Sequence, residues 1–216
     1  ESLAPIVAAG AKRGLAIGLY SISDVSGVPL SVESVAQLLS CGGGEHIVAV
    51  KVTETDYEKS TACFLAHPAL RRLKIVQGWD PPLTRALQDG PRFDVDGRQR
   101  AGITSGLMSL AVYQYLHILD AIANGEWDEV AAAQLAADAI FRSMQDDPHH
   151  FADLQRAKYM MGLGHPLKAS VSDQQVERVF HALESLTRNA DRQRIARSLD
   201  LMQDGPFHER LSLLGG

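Results

Sequence analysis

Two side chains stand where proteins of alternating strands and helices carry out chemistry. Lys51 closes the apolar run 47–50, IVAV, and Tyr20 closes LAIGLY, residues 15–20. A charge at the end of such a run is rarely buried without a reason. In parallel α/β folds, sites collect at the C-terminal ends of the strands, where the following loops converge. Side chains alternate along a strand, which places Lys51 on one face with Ala49 and Ile47, and Tyr20 on one face with Gly18 and Ala16. Small residues beside the two polar groups leave them space. An apolar setting favours a neutral amine, which attacks carbonyl carbon, and an adjacent phenol is a proton-transfer partner for such an attack. Spacing alone leaves a plainer reading open, because a lysine at a strand end is more often a solvated cap.

The elements that must position these residues follow from periodicity. The stretch 1–14, ESLAPIVAAGAKRG, reads as a helix with Leu3, Ile6, Val7 and Ala11 on one face. Strands are expected at 15–20, 46–51, 72–77 and 101–104, and helices at 31–40, 56–68, 81–88 and 106–125. Near-continuous apolar strands separated by helices imply a parallel sheet in an α/β architecture. The remainder reads as helices at 127–144, around 151–163, and twice within 172–202. The expected organisation is a strand-and-helix region over 1–122 and a helical region over 123–216.

Composition narrows the class of protein. The chain has 216 residues, 45% hydrophobic and 22% charged, with mean hydropathy -0.08 and net charge -5. Its basic residues are scattered instead of forming a stripe, which argues against a nucleic-acid partner. No apolar run reaches the roughly 20 residues that span a bilayer, and no basic-then-apolar leader is visible, so a cytoplasmic protein without a membrane partner is expected. Cys41 and Cys63 lack metal-type or redox-type spacing and are read as packing residues. The glycines of SCGGGEH, 40–46, lack the lysine and hydroxyl of a phosphate loop and are read as a connection. QDGPRFDVDGRQR, 88–100, contains Asp89, Asp94 and Asp96 without calcium-loop spacing and is read as a solvated insertion. His149, His150 and His165 lack a further ligand at usable spacing, so no metal site is expected.

Four stretches together carry a resemblance. GLYSISDVSGVPLSVESVAQL, IVAVKVTETDYEKS, IVQGWDPPLTRALQDG and AGITSGLMSLAVYQYLHILDAIANGEWDEVAAAQ resemble the second half of the dihydrodipicolinate synthase/N-acetylneuraminate lyase family. The similarity runs from about residue 1 to 163 and includes LQRAKYMMGLG. It implies an α/β fold of the (β/α)8 TIM-barrel type, here strands five to eight followed by a C-terminal helical extension. It also implies Lys51 as the Schiff-base lysine and Tyr20 as the tyrosine that moves protons. Gly78, Asp80, Ile103 and Ser21 are the implied substrate-binding positions. No cofactor is implied, the partner is a small 2-oxo acid such as pyruvate, and a homo-oligomer, dimer or tetramer, is expected.

Departures from the family pattern shape the expected activity. The family's Asn and Pro after the tyrosine are Ser21 and Ser23 here, and the following arginine corresponds to Val25. A second substrate carboxylate would lose its partner, so the expectation is a lyase or aldolase other than a true dihydrodipicolinate synthase. QGWD, 77–80, is closer to the G-Y-D of the sialic acid lyases. Asp80 has a plainer reading as a helix N-cap before Pro81. The alternative function is a degenerate homologue that binds a metabolite or serves as an oligomerisation subunit. Four strands do not close an eight-stranded barrel, so a longer chain or a partnered half-barrel is expected.

Overall fold

β-Branched and aliphatic residues fill the apolar runs of the first half, and glycine-rich or polar stretches bound them, which is the local setting of strands. A computed structural model describes residues 3–145, 152–164 and 171–216. The chain divides into two compact units, Glu1–Thr104 and Ser105–Gly216. The first unit runs α1 (Ala4–Ala11), β1 (Ile17–Ser21), α2 (Ser23–Ser26), α3 (Val32–Leu39), β2 (Ile47–Val52), α4 (Thr61–Ala66), β3 (Lys74–Gln77), α5 (Leu83–Asp89) and β4 (Ala101–Ile103). Its four strands form one parallel sheet in the order β1-β2-β3-β4, so each expected strand is present and each pairs with the next in sequence.

One face of the sheet builds the core. Leu19 of β1, Val50 and Val52 of β2 and Ile75 of β3 pack with Val7 of α1, Val35 and Leu38 of α3, and Phe64 and Leu65 of α4. Removing such side chains from water contributes about 1.5–3 kcal/mol each. Ile47 joins this cluster and is fully buried, which corrects the expectation that it shares a face with Lys51. The cause is an irregularity in the β1–β2 ladder. Ile17 pairs with Ile47 but Gly18 pairs with Ala49, so Val48 is an extra residue, 48% exposed, and the alternation resets after it.

Several boundaries differ from the periodic reading. Ile6 is exposed on α1, while Val7 carries that helix's burial. The helix expected over 56–68 contracts to α4, because Asp56 Oδ1 accepts from Lys59 N (3.0 Å) and holds the preceding residues in a turn. Cys41 and Cys63 are both exposed, not packed. Cys63 lies on the outer side of the α4 turn whose inner side is Phe64 and Leu65, and the Cys41 thiol donates to Gln37 O just past α3. The glycine connection is tight and carbonyl-lined: a Cβ on Gly44 would meet the carbonyl oxygens of Leu38 and Leu39, and Arg72 donates to the carbonyls of Gly44, Glu45 and Ile47.

The insertion at 88–100 is solvated along most of its length but ends on a buried anchor. Arg100 is 4% exposed, and its guanidinium donates to the carbonyls of Leu65 (2.7 Å), Leu70 (2.9 Å) and Leu73 (3.3 Å). Burial pushes its pKa down, and Arg71 adds like-charge repulsion. Asp94 Oδ1 accepts from the Arg100 backbone N–H (2.9 Å), so this loop carboxylate fixes the entry to β4.

The second unit contains α6 (Val112–Asn124), α7 (Trp127–Ser143), α8 (Ala152–Met160), α9 (Asp173–Glu184), α10 (Asn189–Leu199) and α11 (His208–Gly215). The helix expected from 106 starts at Val112, and α11 lies beyond the expected set. A polar centre joins three helices. Gln114 of α6 donates to Ala133 O of α7 and to Asp191 Oδ1 of α10, both at 2.9 Å, and accepts from Arg194 Nε at 2.8 Å. Arg188 bridges Asp191 and Glu129, and His117 Nε2 lies 2.6 Å from Glu129 Oε1. The hydrogen bond with His117, and then that from Arg188, hold the Glu129 carboxyl below the usual glutamate range.

Two predictions follow from these anchors. Arg100→Ala removes a donor from the carbonyls of Leu65, Leu70 and Leu73 and is expected to cost about 3 kcal/mol in denaturant unfolding, so a loss below about 1 kcal/mol would refute the anchoring role. Because the folded Glu129 pKa is depressed, its contribution to stability is complete above the ordinary glutamate range and is lost as pH falls through the folded value. Glu129→Gln should therefore lower the melting temperature at neutral pH, and the difference from wild type should shrink as pH falls through the depressed folded value of Glu129.

Candidate active site

Parallel pairing sets the site's rows. On the face opposite the core, Tyr20, Lys51, Val76 and Gly102 stand side by side across the four strands, and Gly18, Ala49 and Lys74 lie one row before them. The ladder continues one residue past the strand ends: Thr53 N donates to Ser21 O (2.8 Å), Gly78 N to Val52 O (2.7 Å) and Thr104 N to Gln77 O (2.9 Å). Thr53, Gly78 and Thr104 thus form the next row on the face of Lys51.

Lys51 and Tyr20 are brought together. Lys51 Nζ lies 4.4 Å from the centroid of the Tyr20 ring, within cation–π distance, and Thr53 Oγ1 donates to Tyr20 Oη at 3.2 Å. Tyr20 is 46% exposed on this face. Gly78 packs directly on the pair, since a Cβ there would stand 2.7 Å from Lys51 Cε and closer still to Thr53 Oγ1. Glycine at 78 is therefore a steric requirement of the lysine's position. Thr53 was not among the expected site residues; the signal available in the sequence was its spacing, two residues after Lys51 on the same face.

The other expected positions divide. Ser21 and Ile103 lie in the row Ser21–Val52–Gln77–Ile103, with side chains on the face opposite Lys51. Ser21 is buried, donates to Glu54 Oε1 (2.6 Å) and accepts from Leu30 N (3.0 Å). Gln77 is also buried, accepts from Thr61 Oγ1 and donates to Trp79 O (3.1 Å), which fixes the chain around Gly78. Asp80 is 5% exposed, and its carbonyl accepts from Leu83 N. The cap position of α5 is Pro82 and carries no side-chain cap, so Asp80 does not fill the N-cap role. Among the described residues, no group of three or more His, Cys, Asp and Glu side chains could hold a metal ion, and no helix is long and apolar enough to cross a membrane. His149, His150 and His165 lie outside the described residues.

Sequential parallel strands, each followed by helix or turn, are the repeat of the (β/α)8-barrel class of α/β folds. No protein-family model matches the chain, and a comparison with curated protein sequences finds no match. Solved structures do match in fold. The chain is similar to a dihydrodipicolinate synthase with TM-score 0.63 and 17% identity, covering 85% of this chain and 60% of that one. It is similar to the wild-type sialic acid aldolase of Ruminococcus gnavus (TM-score 0.57, 16% identity, 84% and 55% covered). It is also similar to an N-acetylneuraminate lyase from Mycoplasma synoviae (TM-score 0.56, 15% identity, 84% and 58% covered). The chain spans just over half the length of these enzymes, and at such identities the likeness is one of fold.

Gly78→Ala is expected to turn Thr53 away from Tyr20 and displace the Lys51 side chain. A crystal structure of the variant with the Thr53–Tyr20 hydrogen bond and the Lys51–Tyr20 contact both intact would refute the packing role of Gly78.

Proposed function

We propose that this chain carries the Schiff-base centre of a class I aldolase or lyase acting on pyruvate or a longer 2-oxo acid. The observation that supports this most directly is the contact of Lys51 Nζ with the Tyr20 ring, whose hydroxyl Thr53 holds, at the C-terminal ends of neighbouring parallel strands. In the proposed mechanism, the Lys51 amine, once deprotonated, attacks C2 of the 2-oxo acid and forms a C–N bond, and the carbonyl oxygen leaves as water with one proton from the amine and one delivered through Tyr20. In a 4-hydroxy-2-oxo acid the C4 hydroxyl then gives its proton to Tyr20, and the iminium accepts the electron pair released as the bond between C3 and C4 breaks, giving an enamine and an aldehyde. Protonation at C3 and hydrolysis return the amine and the shortened 2-oxo acid. The condensation direction is the same sequence reversed.

Tyr20 is assigned the proton transfers. Its hydroxyl accepts from Thr53, so the phenolic O–H remains available to face a substrate on the Lys51 side. The iminium is itself the electron sink, and this chemistry requires no metal or organic cofactor. Gly78 and Asp80 are proposed to border the substrate beyond C3, with a hydroxylated 2-oxo acid as the preferred class, because Asp80 is an acceptor for hydroxyl groups. Ser21 and Ile103, whose side chains point to the other face, would contribute through backbone or by holding the strand ends. An assembly of identical chains is part of the same proposal, although a monomeric dihydrodipicolinate synthase variant is among the similar structures.

The test is borohydride trapping on the full chain. With pyruvate present, peptide mapping should find Lys51 heavier by pyruvate less water plus two hydrogens. Lys51→Ala should abolish the adduct, and a folded wild-type protein without any adduct would instead favour the metabolite-binding or oligomerisation reading. Tyr20→Phe should keep the adduct and reduce turnover of a cleavable hydroxylated 2-oxo acid roughly 10²-fold, with a smaller loss for Thr53→Val.

A further inference from the structure

Glu54, three residues after Lys51, did not enter the expected site, yet its carboxylate gathers three donors at the strand ends. Oε1 accepts from Ser21 Oγ (2.6 Å) and from Ser23 N (3.1 Å), and Oε2 accepts from Ser23 Oγ (2.5 Å). Bonds to an ionised acceptor are stronger than neutral ones, and these three cross from the end of β2 to the chain leaving β1. Ser21 relays the hold further, because its Oγ accepts from Leu30 N, which closes the segment 22–30 at its far end. The segment lacks other ties of this kind: Val25 and Val28 are exposed, and the Ser26 hydroxyl bonds only to carbonyls of Ile22 and Val28 within it.

Alternation gives the arrangement its consequence. Ser21 and Glu54 stand behind the sheet, while Tyr20 and Thr53, their immediate neighbours in sequence, stand in front. Whatever fixes Ser21 against Glu54 therefore fixes the Tyr20 backbone against that of Thr53, one residue from each. We infer that Glu54 is a positioning residue for the Tyr20–Lys51 pair: its clamp on Ser21 and Ser23 sets the register in which Thr53 holds the Tyr20 hydroxyl and the Tyr20 ring meets Lys51. The inference rests on the reading of this pair as a Schiff-base centre. It assigns no chemical step to Glu54, whose charge is spent on its three donors. It also gives Ser21 and Ser23, the two departures from the family's motif, a shared partner within this chain.

The experiment compares wild type, Glu54→Ala and Glu54→Gln in the full chain by three measurements: amide hydrogen exchange, borohydride trapping of pyruvate, and exchange of the pyruvate methyl protons with solvent. Glu54→Gln is the conservative variant, because its Oε1 can still accept from Ser21 Oγ and Ser23 N while its amide N–H donates to Ser23 Oγ. In Glu54→Ala, amide exchange at Ser23 and Leu30 should accelerate about tenfold or more while Val50 and Ile75 keep their protection. Methyl-proton exchange, which needs Tyr20 in place, should fall about tenfold, while trapping, which needs only the Lys51 amine, falls less than about threefold. Glu54→Gln should restore both the protection and the proton exchange.

Each contrary result has its own meaning. Unchanged amide protection in Glu54→Ala would overturn the clamp, and unchanged proton exchange would overturn its positioning of Tyr20. A Glu54→Gln variant as impaired as Glu54→Ala would also overturn the inference, because the effect would then not follow the hydrogen bonds to Ser21 and Ser23. Absence of trapping in wild type would instead overturn the Schiff-base reading, and with it the positioning role, while amide exchange would still decide whether the clamp exists.

Discussion

The parallel pairing of β1 with β2 is the constraint on which the site depends. Tyr20 and Lys51 are exact register partners, so their side chains emerge from the same face at the same height. Because the side-chain period is two, a slip of one residue would turn Lys51 into the core and expose Val50. Leu19, Val50, Val52 and Ile75, all buried against the helices, make that slip costly. The hydrophobic core is thus what aims the lysine, even though no core side chain belongs to the site. The extra residue at Val48 belongs to the same logic, since it lets Ile47 join the core without changing the row in which Lys51 stands.

Polar side chains behind the sheet turn strand ends into fixed loops. Ser21, Gln77 and Thr61 are buried and hydrogen-bonded: Ser21 to Glu54 and Leu30, Thr61 to Gln77, and Gln77 also to the Trp79 carbonyl two residues on. A buried polar group left without a partner costs about 1–3 kcal/mol, so these arrangements tolerate little alternative geometry. Their effect is felt in front of the sheet: Gln77 holds the carbonyl of Trp79 and with it the approach of Gly78 to Lys51. The same principle recurs in the second unit, where the buried Gln114 and Asp191 bond to each other, to Arg188 and Arg194, and to the Ala133 carbonyl.

Arg100 shows how much of this holding falls to single residues that look peripheral. It closes a polar loop, yet it gathers the carbonyls at the end of α4 and the turn that follows, where the last turn of a helix leaves acceptors unsatisfied. Burying a guanidinium there is tolerated because its donors are occupied by oxygen atoms at the negative end of the helix. The entry to β4 and the packing of α4 are consequently one structural problem with one solution.

The sequence by itself determined the four strands and their parallel arrangement, because apolar runs of strand length separated by helices have few other ways to bury both surfaces. It also determined that Lys51 and Tyr20 close neighbouring strands, since that follows from order along the chain. Helix ends were less legible: the turn at Asp56 and the late start at Val112 depend on local hydrogen bonds that periodicity does not encode. The exposure of Cys41 and Cys63, the buried anchor at Arg100 and the reset at Val48 were likewise hidden. Only the tertiary structure decided which polar residues face the lysine. Ser21, Thr53 and Glu54 are all small or acidic residues near strand ends and look equivalent in one dimension. The sheet places Thr53 in front and Ser21 and Glu54 behind, because the alternation of side chains acts only once the register between strands has been fixed by packing.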